Sequence, residues 1–158
     1  MRPLAVFDLD GTLADVRHRL HHLERRPKDW DAFFDAARQD PPLETGRALA
    51  RESARECDVV YVTGRPERCR DDTLAWLQEH DLPPGELAMR RPGDRRPART
   101  AKVELVRQVA RGRTVAVLVD DDEQVCDAYE QAGWSVLRAR WQEAAPVLRQ
   151  AQEQEGRT

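Results

Sequence analysis

The chain has 158 residues, which is enough for one domain with a substantial core and too short for two full domains. Its 26 basic and 29 acidic residues give a formal net charge of −3, which argues against a globally basic nucleic-acid-binding protein but not against a local basic patch. The first apolar run begins near residue 3 and none reaches the ~18 residues of a membrane span, so we expect no membrane partner. Three cysteines without a CxxC pair favour reduced thiols: Cys57, Cys69 and Cys126. We therefore expect a single domain, residues 1–158, in a soluble cytoplasmic protein.

Short apolar runs alternate with stretches of helical periodicity along most of the chain. Strands are predicted at 4–8, 58–62, 86–89, 114–119 and 134–138. Helices are predicted at 43–56, 66–80, 98–111, 122–132 and 142–153. This alternation predicts an α/β fold with a mostly parallel five-stranded sheet and helices on both faces.

The segment 14–41 interrupts this alternation. It carries two extra helical stretches, divided near Pro27, between the first strand and the next core helix. This insertion predicts a small helical lid after strand one.

Aromatic and histidine residues within the lid allow more than one interpretation. Trp30, Phe33 and Phe34 have the i, i+3, i+4 spacing of a helix face, which favours core packing over stacking against a nucleobase. His18 and His22 lie one helical turn apart, but no carboxylate or cysteine completes a recognisable metal site. We expect the histidines to line or decorate the lid: His18, His21 and His22.

Polar residues follow the predicted strands at their carboxyl ends, where open parallel sheets bind ligands. The run "FDLDGTLAD" at 7–15 places Asp8 and Asp10 two residues apart after strand one, and "VTGR" places Thr63 after strand two. A triple aspartate at 120–122 follows strand four. Lys102 precedes that strand and is one of two lysines against 24 arginines, which favours a specific role for its ammonium group. Crowded carboxylates of this kind require a cation nearby.

Together these groups suit phosphoryl transfer through a carboxylate nucleophile. Asp8 would attack phosphorus, and Asp10 would act as the single acid and base of both half-reactions. Thr63 and Lys102 would hold the phosphate, while Mg²⁺ would bridge Asp8 and Asp121. Further substrate contacts are expected from Gly11, Thr12, Gly64, Arg65 and Arg96.

The stretches "DLDGTL", "VTGR", Lys102 and "VDDDEQVCDAYEQAGW" resemble, in order, the four motifs of the haloacid dehalogenase (HAD) superfamily, from residue 4 to about 140. The resemblance implies a HAD-like Rossmannoid fold and Mg²⁺-dependent phosphatase chemistry. It gives Asp8 as the nucleophile, Asp10 as the acid/base, and Thr63 and Lys102 as phosphate ligands. It also implies these metal-site roles: Asp121 and the Asp10 carbonyl as ligands, with Asp120 behind them. A phosphorylation receiver domain is disfavoured, because there the acid pair lies at strand one and the lysine at the last strand.

A narrower resemblance is to the phosphatase domain of bacteriophage polynucleotide kinase-phosphatases. It is carried by "GDRRPARTAK" at 93–102 and "DDDEQVCDAYEQAG" at 120–133. No GxxxxGK[ST] phosphate loop accompanies these motifs, so we expect a phosphatase without a kinase. A local cationic rim that suits a nucleotide phosphate or a polynucleotide backbone is formed by Arg90, Arg91, Arg95, Arg96 and Arg99.

The resemblance favours one substrate and leaves two alternatives open. We expect removal of a 3′-phosphate from a polynucleotide end. One alternative substrate is a nucleoside monophosphate or another small phosphoester. The other alternative is a phosphate-binding module that does not turn over.

Overall fold

A computed structural model describes all 158 residues, and at its centre lies a sheet of five parallel strands. The strands are β1 (Leu4–Phe7), β2 (Asp58–Pro66), β3 (Leu87–Arg90), β4 (Val115–Asp120) and β5 (Val136–Arg138). The α-helices are α1 (His21–Glu24), α2 (Trp30–Asp35), α3 (Glu44–Ser53), α4 (Arg70–Glu79), α5 (Ala98–Ala110), α6 (Glu123–Gln131) and α7 (Pro146–Arg149). The strand order is β3-β2-β1-β4-β5, which confirms the predicted α/β fold and parallel sheet.

Side chains of β1 alternate between two hydrophobic cores, one on each face of the sheet. Ala5 and Phe7 belong to the core that also contains residues of α2, α3 and α4. Leu4 and Val6 belong to the core formed with α5 and α6. Successive strand residues point to opposite faces, so a strand covered on both sides must be apolar at every position. The continuous apolar run of β1 therefore follows from its central place in the sheet.

The largest differences from the predicted boundaries are in β2, α4 and α7. Strand β2 continues to Pro66, and the following helix α4 starts only at Arg70, after a 3-10 turn at Glu67–Cys69. The predicted helix 142–153 is shorter, because α7 begins at Pro146 and continues as a π-helical turn at Gln150–Gln154. A proline lacks a backbone N–H and is favoured in the first turn of a helix, which explains that start. No helix has both the length and the apolar character needed to cross a membrane.

The segment between β1 and α3 contains the predicted helical stretches on either side of Pro27, namely α1 and α2. Phe33 and Phe34 are buried in the core, and Trp30 packs against it half-buried. Core packing is thus the role that the structure gives these aromatic side chains. His18 Nε2 lies 2.6 Å from Asp40 Oδ1.

Candidate active site

Three carboxylates meet at the carboxyl ends of β1 and β4. These strands are neighbours in the sheet, and the backbone N–H of Asp8 donates to the Val119 carbonyl at 2.9 Å. Asp8 follows β1, Asp120 ends β4, and Asp121 comes next along the chain. One oxygen atom from each carboxylate lies within 4.8 Å of the others. The sequence prediction that the two strand ends share one site is therefore supported by the geometry.

Lys102 reaches this cluster from α5. Its Nζ donates to Asp8 Oδ1 at 2.7 Å and to Asp120 Oδ2 at 2.8 Å. All three side chains are buried. Burial alone would lower the pKa of Lys102, but the charges of Asp120 and Asp8 raise it well above its ordinary value. The ammonium group is therefore charged and bridges two of the three carboxylates.

Lys102 alone does not balance the negative charge of the three carboxylates. Burial, and after it the charge of Asp8, raises the pKa of Asp121 well above its ordinary value. The same two causes raise the pKa of Asp120 to about 7. Asp121 Oδ1 is buried and has no hydrogen-bond partner. A free carboxylate oxygen among oxygen-only donors fits a hard divalent cation such as Mg²⁺.

The turn after Asp8 approaches Asp121 closely. Gly11 has φ +82°, and a Cβ atom there would lie 2.0 Å from Asp121 Oδ2. Thr12 Oγ1 donates to Asp8 Oδ2 at 3.0 Å. Glycine is required at position 11 because both the backbone angle and the space exclude a side chain. Gly11 and Thr12 thus shape the cluster, as residues expected at the phosphate site should.

Asp10 lies in a second buried network. Arg65 donates to Asp10 Oδ1 from Nε at 3.0 Å and from Nη2 at 2.6 Å, and Arg19 Nη2 donates to the same oxygen at 3.0 Å. Asp40 accepts hydrogen bonds from both arginines, at distances of 2.8 to 3.2 Å. Burial alone would raise the pKa of Asp10, but Arg65 and Arg19 outweigh it and lower the pKa to about 2. Asp10 is therefore held as an anion in a fixed orientation.

Thr63 and Gly64 lie near the carboxyl end of β2, next to this network. Thr63 is buried, and its Oγ1 accepts a hydrogen bond from the Arg65 backbone N–H at 3.2 Å. The α-carbon of Gly64 faces Thr158, since a Cβ atom there would lie 2.3 Å from the Thr158 carbonyl carbon. Both residues lie at the same sheet edge as the carboxylates, where the sequence predicted them.

In the predicted cationic rim, ion pairs and hydrogen bonds within the protein occupy more of the arginines than the sequence indicated. Arg96 is paired with Asp94 at 2.7 Å and with Glu104 at 2.8 Å, and none of its hydrogen bonds reaches the carboxylate cluster. Arg90 is buried, and it donates to the carbonyls of Gly64, Arg96 and Thr158. Only part of the predicted rim is therefore available to a ligand.

Several site residues escaped the sequence reasoning. Arg19 and Asp40 build the support behind Asp10, and Arg149 donates to Asp121 Oδ2 at 2.9 Å. Among 24 arginines, no local signal separates the buried ones from those in solvent. Asp40 is the one of these residues with a local signal, because it is an acid near the end of the lid segment, directly before two prolines.

A family model described as the polynucleotide kinase PNKP phosphatase domain matches residues 3–142. A chain of the Pnkp1/Rnl/Hen1 RNA repair complex has a similar fold, with a TM-score of 0.72 and 24% identity over 87% of this chain and 42% of that chain. A haloacid dehalogenase-like hydrolase from Streptococcus pneumoniae, SP0104, gives a TM-score of 0.61 and 14% identity over 87% of this chain and 84% of that one. L-2-haloacid dehalogenase from Xanthobacter autotrophicus gives a TM-score of 0.60 and 15% identity, over 96% of this chain and 88% of that one.

These structural likenesses show the fold, and the chain spans less than half of the RNA repair protein that it resembles. Comparison with curated protein sequences finds no match. The family model, by contrast, covers most of the chain and all of its site motifs. The chain therefore belongs to the family of polynucleotide kinase PNKP phosphatase domains, within the haloacid dehalogenase superfamily.

Proposed function

We propose that this protein is a Mg²⁺-dependent phosphomonoesterase that removes a 3′-phosphate from a polynucleotide end. The observation that carries the proposal is the convergence of Asp8, Asp121 and Lys102 at one sheet edge, with Asp10 on the same turn as Asp8. This set combines a nucleophile, a cation site and an acid/base group. A carboxylate nucleophile needs all three to cleave a phosphate ester.

In the first half-reaction, a carboxylate oxygen of Asp8 attacks phosphorus while the ester P–O bond breaks. Asp10 is an anion in the resting site, so it takes up a proton from solvent before this step and gives that proton to the leaving oxygen. The phosphoryl group stays on Asp8 as an aspartyl phosphate. In the second half-reaction, water attacks that phosphorus and gives its proton to Asp10. The P–O bond to Asp8 then breaks and inorganic phosphate leaves. Asp10 gives its proton back to solvent, so both carboxyl groups return to their starting states.

The hydrogen bonds support these separate roles. Arg65 and Arg19 bind one oxygen of Asp10, whereas the ammonium group of Lys102 binds Asp8, which fits proton transfer by Asp10 and attack by Asp8. Lys102 lies against Asp8, where its charge would stabilise the negative charge that develops on the transferring phosphoryl group. Thr63 adds a hydroxyl at the same edge.

We assign the metal ligands to the carboxylates of Asp8 and Asp121 and to the backbone carbonyl of Asp10. Between the two neighbouring acids, Asp121 is the more suitable ligand because its Oδ1 has no hydrogen-bond partner, whereas both oxygens of Asp120 accept, from Lys102 and from the Asp122 N–H. Asp120 thus holds the lysine in place. When bound, Mg²⁺ neutralises the carboxylates and polarises the phosphate for attack.

Two observations support a polynucleotide as the substrate. The family model is that of a polynucleotide kinase phosphatase domain, and a structural relative belongs to an RNA repair complex. In addition, Arg91 and Arg95 follow β3 at the carboxyl edge of the sheet, are exposed and form no ion pair, so they are available for flanking phosphates.

A substrate panel tests the proposal. Phosphate release is measured with Mg²⁺ on 3′-phosphorylated oligonucleotides, on 5′-phosphorylated oligonucleotides and on 3′- and 5′-mononucleotides, with Asp8→Asn as the inactive control. We expect the highest kcat/KM on the 3′-phosphorylated oligonucleotide. Equal or better hydrolysis of a mononucleotide would reassign the protein as a small-molecule phosphatase. If no phosphate is released from any substrate, the protein is a phosphate-binding module without turnover.

A further inference from the structure

The last thirteen residues, Pro146–Thr158, lie across the candidate active site. Leu148 and Ala151 anchor this segment in the hydrophobic core, with 3% and 0% of their surfaces exposed. Two of its polar side chains, Arg149 and Thr158, contact residues of the site. We refer to residues 149–158 as the strap.

Arg149 occupies the cation side of the site. Its Nη2 donates to Asp121 Oδ2 at 2.9 Å and to the Asp121 backbone carbonyl at 2.9 Å. The guanidinium group therefore supplies the positive charge that the carboxylate would otherwise receive from a metal ion. A divalent cation that used this oxygen would have to displace Arg149.

Thr158 occupies the side of the leaving group. Its Oγ1 donates to Asp10 Oδ2 at 3.4 Å, and its backbone carbonyl accepts from Arg90 Nη2 at 3.1 Å. In the proposed reaction, the alcohol oxygen of the substrate must also approach Asp10 to receive its proton. The Thr158 hydroxyl is thus a chemical counterpart of that leaving alcohol.

The strap also connects to the lid. The Arg157 guanidinium carbon lies 4.6 Å from the centroid of the Trp30 ring, and Lys28 forms an ion pair with Glu155. The strap therefore covers part of the Trp30 ring and is tied to the lid at its end.

We propose that the strap is an autoinhibitory, substrate-mimicking segment that competes with the divalent cation and with the phosphoester for the active site. This inference rests on the proposed function, because it uses the roles given to Asp10 and Asp121. If only a small fraction of molecules has the strap displaced, the apparent Kd of cation and substrate rises by the inverse of that fraction.

Gly156 provides a way to displace the strap without touching the catalytic groups. It has φ +60°, and a Cβ atom there would lie 2.0 Å from the Arg95 carbonyl oxygen. Gly156→Val therefore cannot keep the strap in place. Gly112→Val is the matched control, because Gly112 has φ +79° but no atom within 4 Å of its Cβ position.

A second variant ends the chain after Gln154. It removes one acid and one base, so the formal net charge stays at −3, and the anchors Leu148 and Ala151 remain. For each variant, hydrogen exchange of residues 149–154 reports release of the strap. Mn²⁺ affinity by electron paramagnetic resonance reports the cation site, and the KM of a 3′-phosphorylated oligonucleotide reports the substrate site.

In Gly156→Val we expect faster exchange, about five-fold tighter Mn²⁺ binding and a similarly lower KM, with Gly112→Val like the parent protein. The shortened chain loses the Thr158 contact with Asp10 but keeps Arg149 on Asp121, so we expect a lower KM with less change in Mn²⁺ affinity. Faster exchange with unchanged Mn²⁺ affinity in Gly156→Val would overturn the proposal, and so would an unchanged KM in the shortened chain. Tighter Mn²⁺ binding without hydrolysis of any phosphoester would support the strap and reject the proposed function.

Discussion

Arg65 donates two hydrogen bonds to one carboxylate oxygen of Asp10, from Nε at 3.0 Å and from Nη2 at 2.6 Å. A guanidinium fork fixes both the position and the orientation of a carboxylate, which an ammonium group does not do. Arg19 strengthens the arrangement, and Asp40 holds both arginines from behind. The acid/base group of the proposed reaction is thus oriented by charges buried beneath it.

Replacement of the fork tests this orienting role. Arg65→Lys keeps the charge but loses one of the two hydrogen bonds to Asp10, so we expect kcat to fall by about ten-fold to a hundred-fold while KM changes little. Steady-state kinetics and the pH profile of kcat measure the effect. Arg68→Lys is the control, because Arg68 is exposed and pairs with Asp31 on the surface. Equal losses in the two variants would contradict the orienting role.

The nucleophile is tested by Asp8→Asn. We expect complete loss of turnover with the fold retained, because asparagine keeps the shape and relieves repulsion from Asp120 and Asp121. The side chain is buried and paired with Lys102, so some stability is lost with the ion pair. Beryllium fluoride, which mimics an acyl phosphate, should form its adduct on Asp8 of the parent protein. An adduct at another residue would reject this assignment.

Within the triple aspartate, we expect Asp121 to bind the metal ion and Asp122 to cap a helix. Asp121→Ala removes a proposed ligand, so we expect activity to require about ten-fold or more Mg²⁺. Asp122 instead caps α6, where its side chain accepts from the Gln124 N–H at 3.0 Å. Asp122→Ala should cost about 1 kcal/mol of stability and change the Mg²⁺ requirement little. Titration of activity with Mg²⁺ and urea unfolding measure the two effects, and equal Mg²⁺ requirements would reassign the ligand.

Stability should depend on pH when divalent cations are removed. Burial and the charge of Asp8 raise the pKa of Asp120 from 3.8 to about 7, so the folded state binds this proton more tightly than the unfolded state. The free energy of unfolding therefore decreases as pH rises from about 4 to about 7. Adding Mg²⁺ should restore stability at about pH 8 and do little at about pH 5, since protons and the cation neutralise the same carboxylates. Thermal unfolding with EDTA or Mg²⁺ at both pH values measures this, and Asp121→Asn should reduce both effects.

The sequence predicted those parts of the site that depend on local patterns. Asp8 and Asp121 directly follow apolar strands, and parallel strands bring such residues to one edge whatever the details of packing. Lys102 stood out because lysine is rare in this chain. The five strands were also predicted from a local pattern, because each is a short apolar run between helical stretches.

The network behind Asp10 depends on contacts between distant segments. Asp40 is 21 residues from Arg19 and 25 from Arg65, and no periodicity links the three. The position of the strap was not predicted either, because residues 142–153 have the pattern of an ordinary surface helix. The sequence predicted Asp8 as a site residue but did not predict that its side chain is buried.

The preference for long substrates should depend on the two free arginines, Arg91 and Arg95. Each contact of an arginine with a phosphate releases counterions, so we expect kcat/KM for a 3′-phosphorylated oligonucleotide to exceed that for a 3′-mononucleotide at low salt and to fall as salt rises. Arg91→Ala with Arg95→Ala should reduce the slope of log(kcat/KM) against log[salt] by about 1.4 to 1.8, because two phosphate contacts are lost, and leave mononucleotide hydrolysis unchanged.

The control for this prediction is Arg107→Ala with Arg111→Ala, which removes two exposed charges at the other end of α5. The control removes the same charge from the whole protein, so a long-range electrostatic effect would change the salt slope in both double variants. A direct contact with flanking phosphates changes it only when Arg91 and Arg95 are removed. Arg96 is left in place because Asp94 and Glu104 already neutralise it. If the oligonucleotide shows no advantage over the mononucleotide at low salt, the polynucleotide substrate is rejected in favour of a small nucleotide.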